Sequence, residues 1–196
     1  FALYATDPRP PDLGAAQTED TQLLHEQDER FFVMLYKTRS TRFIVVHLRS
    51  NMTTEGHVID ADAPAVAPRL IAPRRQGHEY QLDHRGDWFF IRTNDQAKDF
   101  RVMVAPVAAP EAAAWQLLLP EQSGMLIDRF ELFRQHLVVL AWTGGRKQVR
   151  VVRLARDAPE IVDDHWIEFS EETYAVQVEH NPVFDATSLR LHYSSL

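Results

Sequence analysis

Two short stretches concentrate the residue types that could bind a metal ion or transfer a proton. Asp163-Asp164-His165 is the densest group of potential ligands, and His25-Glu26 followed by Asp28-Glu29 forms a second acidic group. A metal site needs side chains that converge on one point, whereas consecutive residues of a strand or turn point in different directions. We therefore interpret both stretches as solvated loops rather than as metal centres.

The motifs of common nucleophilic and phosphate-binding enzymes are absent from the sequence. No serine stands in a G-x-S-x-G arrangement, no H-E-x-x-H motif occurs, and there is no cysteine. Among seven glycines only Gly144 and Gly145 are adjacent, which leaves no glycine-rich loop to hold a phosphate. The sequence predicts no catalytic, cofactor-binding or metal-binding residue in this chain, and no cofactor.

Composition narrows the class of protein further. The 21 basic and 28 acidic residues give a formal charge of −7, and the basic residues are scattered, unlike the patch of a nucleic-acid binder. No apolar run approaches the roughly 18 residues of a membrane span. The chain begins with Phe1, and nothing there resembles a signal peptide. We expect no nucleic-acid or membrane partner and a cytoplasmic location.

Short runs rich in Val, Ile, Phe and Tyr, separated by turn-forming residues, occur along most of the chain and predict an all-β fold built from hairpins. Two weaker helical patterns, Ala15–Leu24 and Pro110–Ala114, are too short for a stable helix, and we interpret both as loops. The clearest predicted strands are Arg30–Thr38, Arg42–Arg49, Trp88–Thr93, Phe100–Ala105, Leu137–Trp142 and Gln148–Leu154.

A repeat underlies these strands. Similar segments begin at Arg30, Gly77, Gly124 and Glu172, at spacings of 47, 47 and 48 residues. In the first unit the strand order is Arg30–Thr38, Arg42–Arg49, His57–Asp62 and Arg69–Pro73; in the second it is His78–His84, Trp88–Thr93, Phe100–Pro106 and Trp115–Pro120. Four antiparallel strands in a repeat of this length are typical of a β-propeller blade.

The propeller interpretation carries specific expectations. The second strand of each blade should be the most buried, and the proline after the fourth strand should mark a sheet edge, since proline lacks a backbone donor. The whole chain, 1–196, is then one partial propeller domain with blades at 1–24 (partial), 25–76, 77–123, 124–171 and 172–196 (partial). A β-sandwich is the alternative, but it does not explain the repeat.

Other polar residues fit structural roles in this scheme. His78-Glu79 and His180-Asn181 open equivalent strands, which favours a role in the blades over catalysis. Asn51-Met52-Thr53 matches the glycosylation acceptor pattern, and we interpret it as a hairpin turn.

Several segments, in the right order, resemble the oligopeptidase B (protease II) branch of the prolyl oligopeptidase family of serine peptidases. They include Lys37–Ser40 (KTRS), His78–Tyr80 (HEY), Arg92–Asp95 (RTND) and Leu189–Ser195 (LRLHYSS) within longer similar stretches. The resemblance covers nearly the whole chain. It implies an arc of a seven-bladed propeller that is followed, in the same polypeptide, by an α/β-hydrolase catalytic domain.

The resemblance also implies a function. The parent protein is expected to be a serine endopeptidase that cleaves short peptides after Arg or Lys, with the propeller excluding folded substrates. None of the family's Ser-Asp-His triad falls in this chain, so the chain alone should be inactive. Near Thr6–Gly14 the sequence departs from the family pattern, which suggests a deletion or omitted residues.

Two other functions stay open at this point. A stand-alone propeller could act as a scaffold for a protein partner. A propeller with its own metal-dependent site, such as a lactonase, would need acidic residues at matching positions in successive blades, and the repeats show none.

Overall fold

The computed structural model describes residues 1–5 and 21–195, and nearly all regular structure in these ranges is β-strand. A 3-10 turn at Ala112–Ala114 is the one helical element there. The strands are β1 (Ala2–Ala5), β2 (Thr21–His25), β3 (Phe32–Lys37), β4 (Phe43–Arg49), β5 (Thr54–Asp60), β6 (Arg69–Ala72), β7 (Tyr80–Arg85), β8 (Trp88–Thr93), β9 (Arg101–Pro106), β10 (Gln116–Leu119), β11 (Met125–Leu132), β12 (His136–Thr143), β13 (Arg146–Leu154), β14 (Ile161–Trp166), β15 (Tyr174–Val178) and β16 (Leu191–Ser195).

The chain divides into two compact units, Phe1–Gly77 and His78–Leu196. The first unit contains a two-stranded sheet, β1-β2, and a four-stranded antiparallel sheet in the order β3-β4-β5-β6. Apolar side chains hold these two sheets together by removing their surfaces from water. They are Phe31, Val46, Leu48 and Ile59, with Leu3, Leu23, Leu24, Val33 and Ile44 packed around them.

The second unit contains two four-stranded antiparallel sheets, β7-β8-β9-β10 and β11-β12-β13-β14, and a two-stranded sheet, β15-β16. Strand β12 shows why its sequence is apolar at consecutive positions. Leu137 and Val139 belong to the core that contains Phe90 of the preceding sheet, whereas Val138 belongs to the core that contains Val176 of the next one. Each face of the strand is covered by a different sheet.

These sheets confirm the all-β fold class and the expected burial of the second strand. Val45 and Val46 in β4, Phe89 to Ile91 in β8, and Leu137 and Val139 in β12 are fully buried or nearly so. Burying one such side chain contributes about 1.5–3 kcal/mol. The prolines also lie as expected, because Pro73 follows β6 and Pro120 follows β10, and each of these strands is the last of its sheet.

Some predicted boundaries were wrong. Residues 21–24, interpreted as loop, belong to β2, which pairs with β1 from Ala2↔His25 to Ala5↔Thr21. The third strand of the first repeat begins at Thr54 and ends at Asp60, not at His57 and Asp62. Asp163–His165 lie in β14 and not in a loop, since Asp163 and Asp164 pair with β13. Pro110–Ala114, also interpreted as loop, includes the 3-10 turn.

Other predictions are left open by the described residues. The departure from the family pattern at Thr6–Gly14 lies outside them, as do residues 15–20 of the first weak helical pattern. The blade boundaries at 24, 76, 123 and 171 stay predictions. Within the described ranges, no helix has the length and hydrophobicity needed to span a membrane.

Candidate functional site

The first candidate ligand group lies on an exposed edge strand. Asp164 of β14 accepts hydrogen bonds from Nε (2.7 Å) and Nη2 of Arg150 on β13. His165 Nδ1 lies 3.8 Å from a carboxylate oxygen of Asp163. Asp164 is therefore engaged in a cross-strand ion pair. In residues 1–5 and 21–195, no set of three His, Asp, Glu or Cys side chains is arranged to hold a metal ion.

The second acidic group is divided between two ion pairs. Glu26, 8% exposed, accepts a 2.5 Å hydrogen bond from Nη2 of Arg74, while Asp28 pairs with Arg30, two residues further along the chain, at 2.7 Å. Arg74 also binds Glu55 on β5, through Nε at 3.1 Å, and its guanidinium lies 4.0 Å from the centre of the Phe31 ring. We call Glu26, Glu55, His57 and Arg74 the Arg74 cluster.

The Arg74 cluster keeps its carboxylates charged. A hydrogen bond from His57 and others from Arg74 lower the pKa of Glu55 to about 2, against the opposing effect of burial. The hydrogen bond from Arg74 is the main reason that the pKa of Glu26 is also lowered, and the two carboxylates raise the pKa of Arg74. A general acid at neutral pH needs a raised pKa. These carboxylates therefore suit a fixed ion-pair network and not proton transfer.

A cleft of about 490 Å³ adjoins this cluster, lined in part by Phe31, Arg74 and the turn that contains Asn51-Met52-Thr53. Thr53 is buried, and its hydroxyl accepts a 3.2 Å hydrogen bond from the Gly77 backbone N–H. The Ser50 backbone N–H donates to the Thr53 carbonyl at 2.9 Å. Residues 51–53 thus lie in the connection between β4 and β5.

His78 and Asn181 make contacts inside the second unit. His78 is buried, with Nε2 at 2.9 Å from the Thr93 hydroxyl and its ring 5.1 Å from that of Tyr80. The Asn181 amide donates to the carbonyls of Glu179 (2.6 Å) and Arg190 (3.1 Å), and its oxygen accepts from the Arg190 N–H at 2.7 Å. Asn181 closes the segment between β15 and β16.

Sequence reasoning missed Arg85, which is 5% exposed at the end of β7. Its guanidinium donates four hydrogen bonds to main-chain carbonyls: to Arg134 at 2.5 Å, to Arg156 at 2.6 Å, to Ala158 at 3.1 Å, and to Ala155. We call Arg85 and these four carbonyls the Arg85 carbonyl site. Burial is the main cause that lowers the pKa of Arg85.

The Arg85 carbonyl site joins neighbouring sheets of the second unit. Arg134 lies between β11 and β12, and residues 155–158 lie between β13 and β14. Arg92 of β8 makes a similar bond to the Ile127 carbonyl of β11 at 2.7 Å, and Arg129 of β11 reaches the Val178 carbonyl of β15 at 3.3 Å. Each of these arginines lies within or at the end of a strand, but the carbonyls that they bind have no signal in the sequence.

Comparison with known proteins identifies the domain to which these sheets belong. A family model described as the N-terminal β-propeller domain of prolyl oligopeptidase matches residues 11–196. The chain is similar to dipeptidyl aminopeptidase BI of Pseudoxanthomonas mexicana (28% identity, 94% of this chain, 25% of that protein) and to protease 2 of Moraxella lacunata (27%, 94%, 25%). It spans about a quarter of the length of these two relatives.

A solved structure gives the same fold. Oligopeptidase B from Trypanosoma brucei superposes with a TM-score of 0.86 and 24% identity, over 99% of this chain and 28% of that one. The four-stranded sheets described above are therefore blades of a β-propeller.

Proposed function

We propose, since this chain belongs to the prolyl oligopeptidase family through its N-terminal β-propeller domain, that it is the non-catalytic part of a serine endopeptidase that cleaves short peptides after Arg or Lys. The match of the family model over residues 11–196 carries the proposal. The resemblance of the sequence to this family is thereby confirmed.

The non-catalytic role proposed for this chain is consistent with the side chains that it contains. In the described residues, the carboxylates of the Arg74 cluster and Asp164 are engaged with arginines, and His78 is a buried neighbour of Thr93. The nucleophile, base and third triad member would come from an α/β-hydrolase domain of the same polypeptide, the partner we propose for this chain. The propeller would contribute a rigid cover that admits short peptides and excludes folded proteins.

The structure offers a physical basis for such a cover. Within the second unit, the cores on both faces of β12 and the arginine bonds between sheets resist separation of adjacent blades. Interiors packed in this way deform little, because small shifts lose many contacts at once. A stiff wall of blades suits a filter that selects substrates by size.

Cleavage after a basic residue is the finer part of the proposal. It is supported by the similarity to protease 2 and by the segments that resemble oligopeptidase B. A second activity has its own support, since another relative is named a dipeptidyl aminopeptidase. That enzyme class removes dipeptides from a free N-terminus, so a blocked N-terminus separates the two activities.

The test compares four chromogenic substrates on the full-length protein that contains this chain. Two are N-blocked peptides with Arg or Lys before the scissile bond, one is N-blocked with Pro there, and one is a free dipeptide derivative. We expect cleavage of the Arg and Lys peptides, loss of activity with a serine-directed phosphonate, and no activity in this chain alone. Preference for the free dipeptide would favour the second activity. Cleavage of none would favour a scaffold.

A further inference from the structure

A cleft of about 740 Å³ opens in the second unit beside the Arg85 carbonyl site. Its walls come from the turn between β11 and β12, the end of β13, the connection to β14 and the segment before β16. The polar lining consists of Arg134, Gln135, Arg153, Arg156, Asp157 and Asp185. We call this feature the arginine cleft.

The arginine cleft carries a local excess of positive charge. Three arginines face two aspartates in its lining, whereas the whole chain has a net charge of −7. Arg134 pairs with Asp185 at 3.2 Å, with both side chains more than half exposed. In the described part of the chain, the exposed side chains of Arg153 and Arg156 have no carboxylate within ion-pair distance. These two guanidinium groups are available to a ligand.

Arg85 adds to the positive potential from behind the cleft wall. It binds the carbonyls of Arg134, Ala155 and Arg156, and all three residues line the cleft. These carbonyl oxygens would otherwise repel an anion. The Arg85 hydrogen bonds are to carbonyls and not to a carboxylate, so dipoles satisfy its donors while its charge remains. Burial is the main cause that lowers the pKa of His136, and the positive charge of Arg153 adds to it.

The walls of the cleft are fixed by main-chain hydrogen bonds. Leu154 N–H donates to the Gln135 carbonyl at 2.8 Å, Ala155 N–H to the Glu160 carbonyl at 2.8 Å, and Arg134 N–H to the Phe184 carbonyl at 2.9 Å. A site that is already formed loses less conformational entropy when a ligand binds.

We propose that the arginine cleft binds a carboxylate-bearing segment of a separate peptide, through Arg153 and Arg156. Guanidinium groups match carboxylates in a paired, two-bond geometry. The exposed apolar side chain of Val162 also lines the cleft and can contact the rest of a peptide. Asp157 and Asp185 disfavour a densely charged anion such as phosphate. The inference does not rest on the proposed peptidase activity, because the expected substrates of that activity are basic.

The test measures fluorescence anisotropy of a labelled Glu-Gly-Glu-Gly-Glu peptide with the full-length protein that contains this chain. A Gln-Gly-Gln-Gly-Gln peptide is the neutral control, and inorganic phosphate is a competitor. The variant R153Q/R156Q removes the two guanidinium groups proposed to bind the ligand, and R39Q/R69Q makes the same change in net charge in the unit that lacks the cleft. All these side chains are outside the cores, so folding should persist, as thermal unfolding would verify.

We expect the Glu peptide to bind, and we expect R153Q/R156Q to weaken binding about tenfold or more. Each lost guanidinium–carboxylate pair removes the binding free energy of roughly one hydrogen bond to a charged group. R39Q/R69Q should change affinity less than twofold. Absence of binding, equal binding of the Gln peptide, equal loss in the two variants, or a preference for phosphate would overturn the proposal.

Discussion

Two arginines, one in each compact unit, join sheets in different ways. In Phe1–Gly77, Arg74 connects Glu26, just after β2, with Glu55 on β5, so its positive charge is balanced by two carboxylates. In His78–Leu196, Arg85 connects the end of β7 with two neighbouring connections through carbonyls alone. The first arginine is about one-third exposed, and the second is nearly fully buried.

The difference shows that the partner of an arginine determines whether its contribution to stability depends on pH. A carboxylate loses its charge in acid, so a bond that depends on it weakens as the pH falls. A carbonyl does not titrate, and its bond to a cation persists. The Arg74 cluster should therefore stabilise its unit in a pH-dependent way, and the Arg85 carbonyl site should not.

The largest effect is expected from R85Q. Four main-chain carbonyls lose their donor. Each hydrogen bond contributes about 1 kcal/mol, so the variant should lose about 4 kcal/mol of unfolding free energy. Urea denaturation at pH 7 measures it. R153Q is a matched control, because Arg153 is exposed in the same unit; it should change stability by less than about 0.5 kcal/mol. Equal losses in the two variants would show that the four bonds carry no stability.

R74Q tests the other side of the comparison. At pH 7 it leaves Glu26 buried without its Arg74 partner. We expect a loss of about 2 kcal/mol, less than for a fully buried pair because Arg74 is partly exposed. The pKa values of Glu26 and Glu55 are lowered, the latter to about 2. The stability that Arg74 adds to the wild-type protein is thus fully present above pH 4.5, the ordinary pKa of a glutamate. It is lost as the pH falls towards the lowered pKa values of Glu26 and Glu55.

Urea denaturation of R74Q and R85Q at pH 7 and pH 3 distinguishes the Arg74 ion pairs from the Arg85–carbonyl hydrogen bonds by the pH dependence of the unfolding free energy. The loss caused by R74Q should shrink at pH 3, and that caused by R85Q should stay the same. A loss from R74Q that is equal at both pH values would mean that the ion pairs do not stabilise the first unit.

A smaller effect is expected from G86A. Gly86 follows Arg85 in the turn to β8 and has a φ of 59°, a region that side-chain-bearing residues rarely adopt. Apart from its two chain neighbours, no atom of the described residues lies within 4 Å of a methyl group added there. The cost is therefore backbone strain, about 1 kcal/mol. Its denaturation midpoint should fall between those of R85Q and R153Q. A midpoint as low as that of R85Q would mean that the turn, and not the guanidinium, determines the tie.

The smallest effect is expected from R30Q. Arg30 lowers the pKa of Asp28 to about 2 by hydrogen bonding, which resembles the effect on Glu55. Arg30 is exposed, however, and water screens the pair, so the unfolding free energy should not change measurably. A clear loss in R30Q would show that exposure does not distinguish this pair from the Arg74 cluster.

The predictable part of this molecule is the part that repeats. The apolar second strands β4, β8 and β12 and the prolines after β6 and β10 follow from periodicity, since burial on both faces requires consecutive apolar residues. Strand β14 was missed because its residues are mostly exposed and Asp163-Asp164-His165 is polar. Arg85 was missed because its partners are carbonyls of residues 134 to 158, which no side-chain pattern identifies.

The most direct test of the central claim, that these blades form a size filter over a peptidase site, is a competition on the full-length protein. A short N-blocked peptide with one Arg and a folded protein that displays the same sequence in an exposed loop are offered at equal concentration, and cleavage is followed by mass spectrometry. We predict cleavage of the short peptide and an intact loop. Cleavage of both at similar rates would contradict the claim.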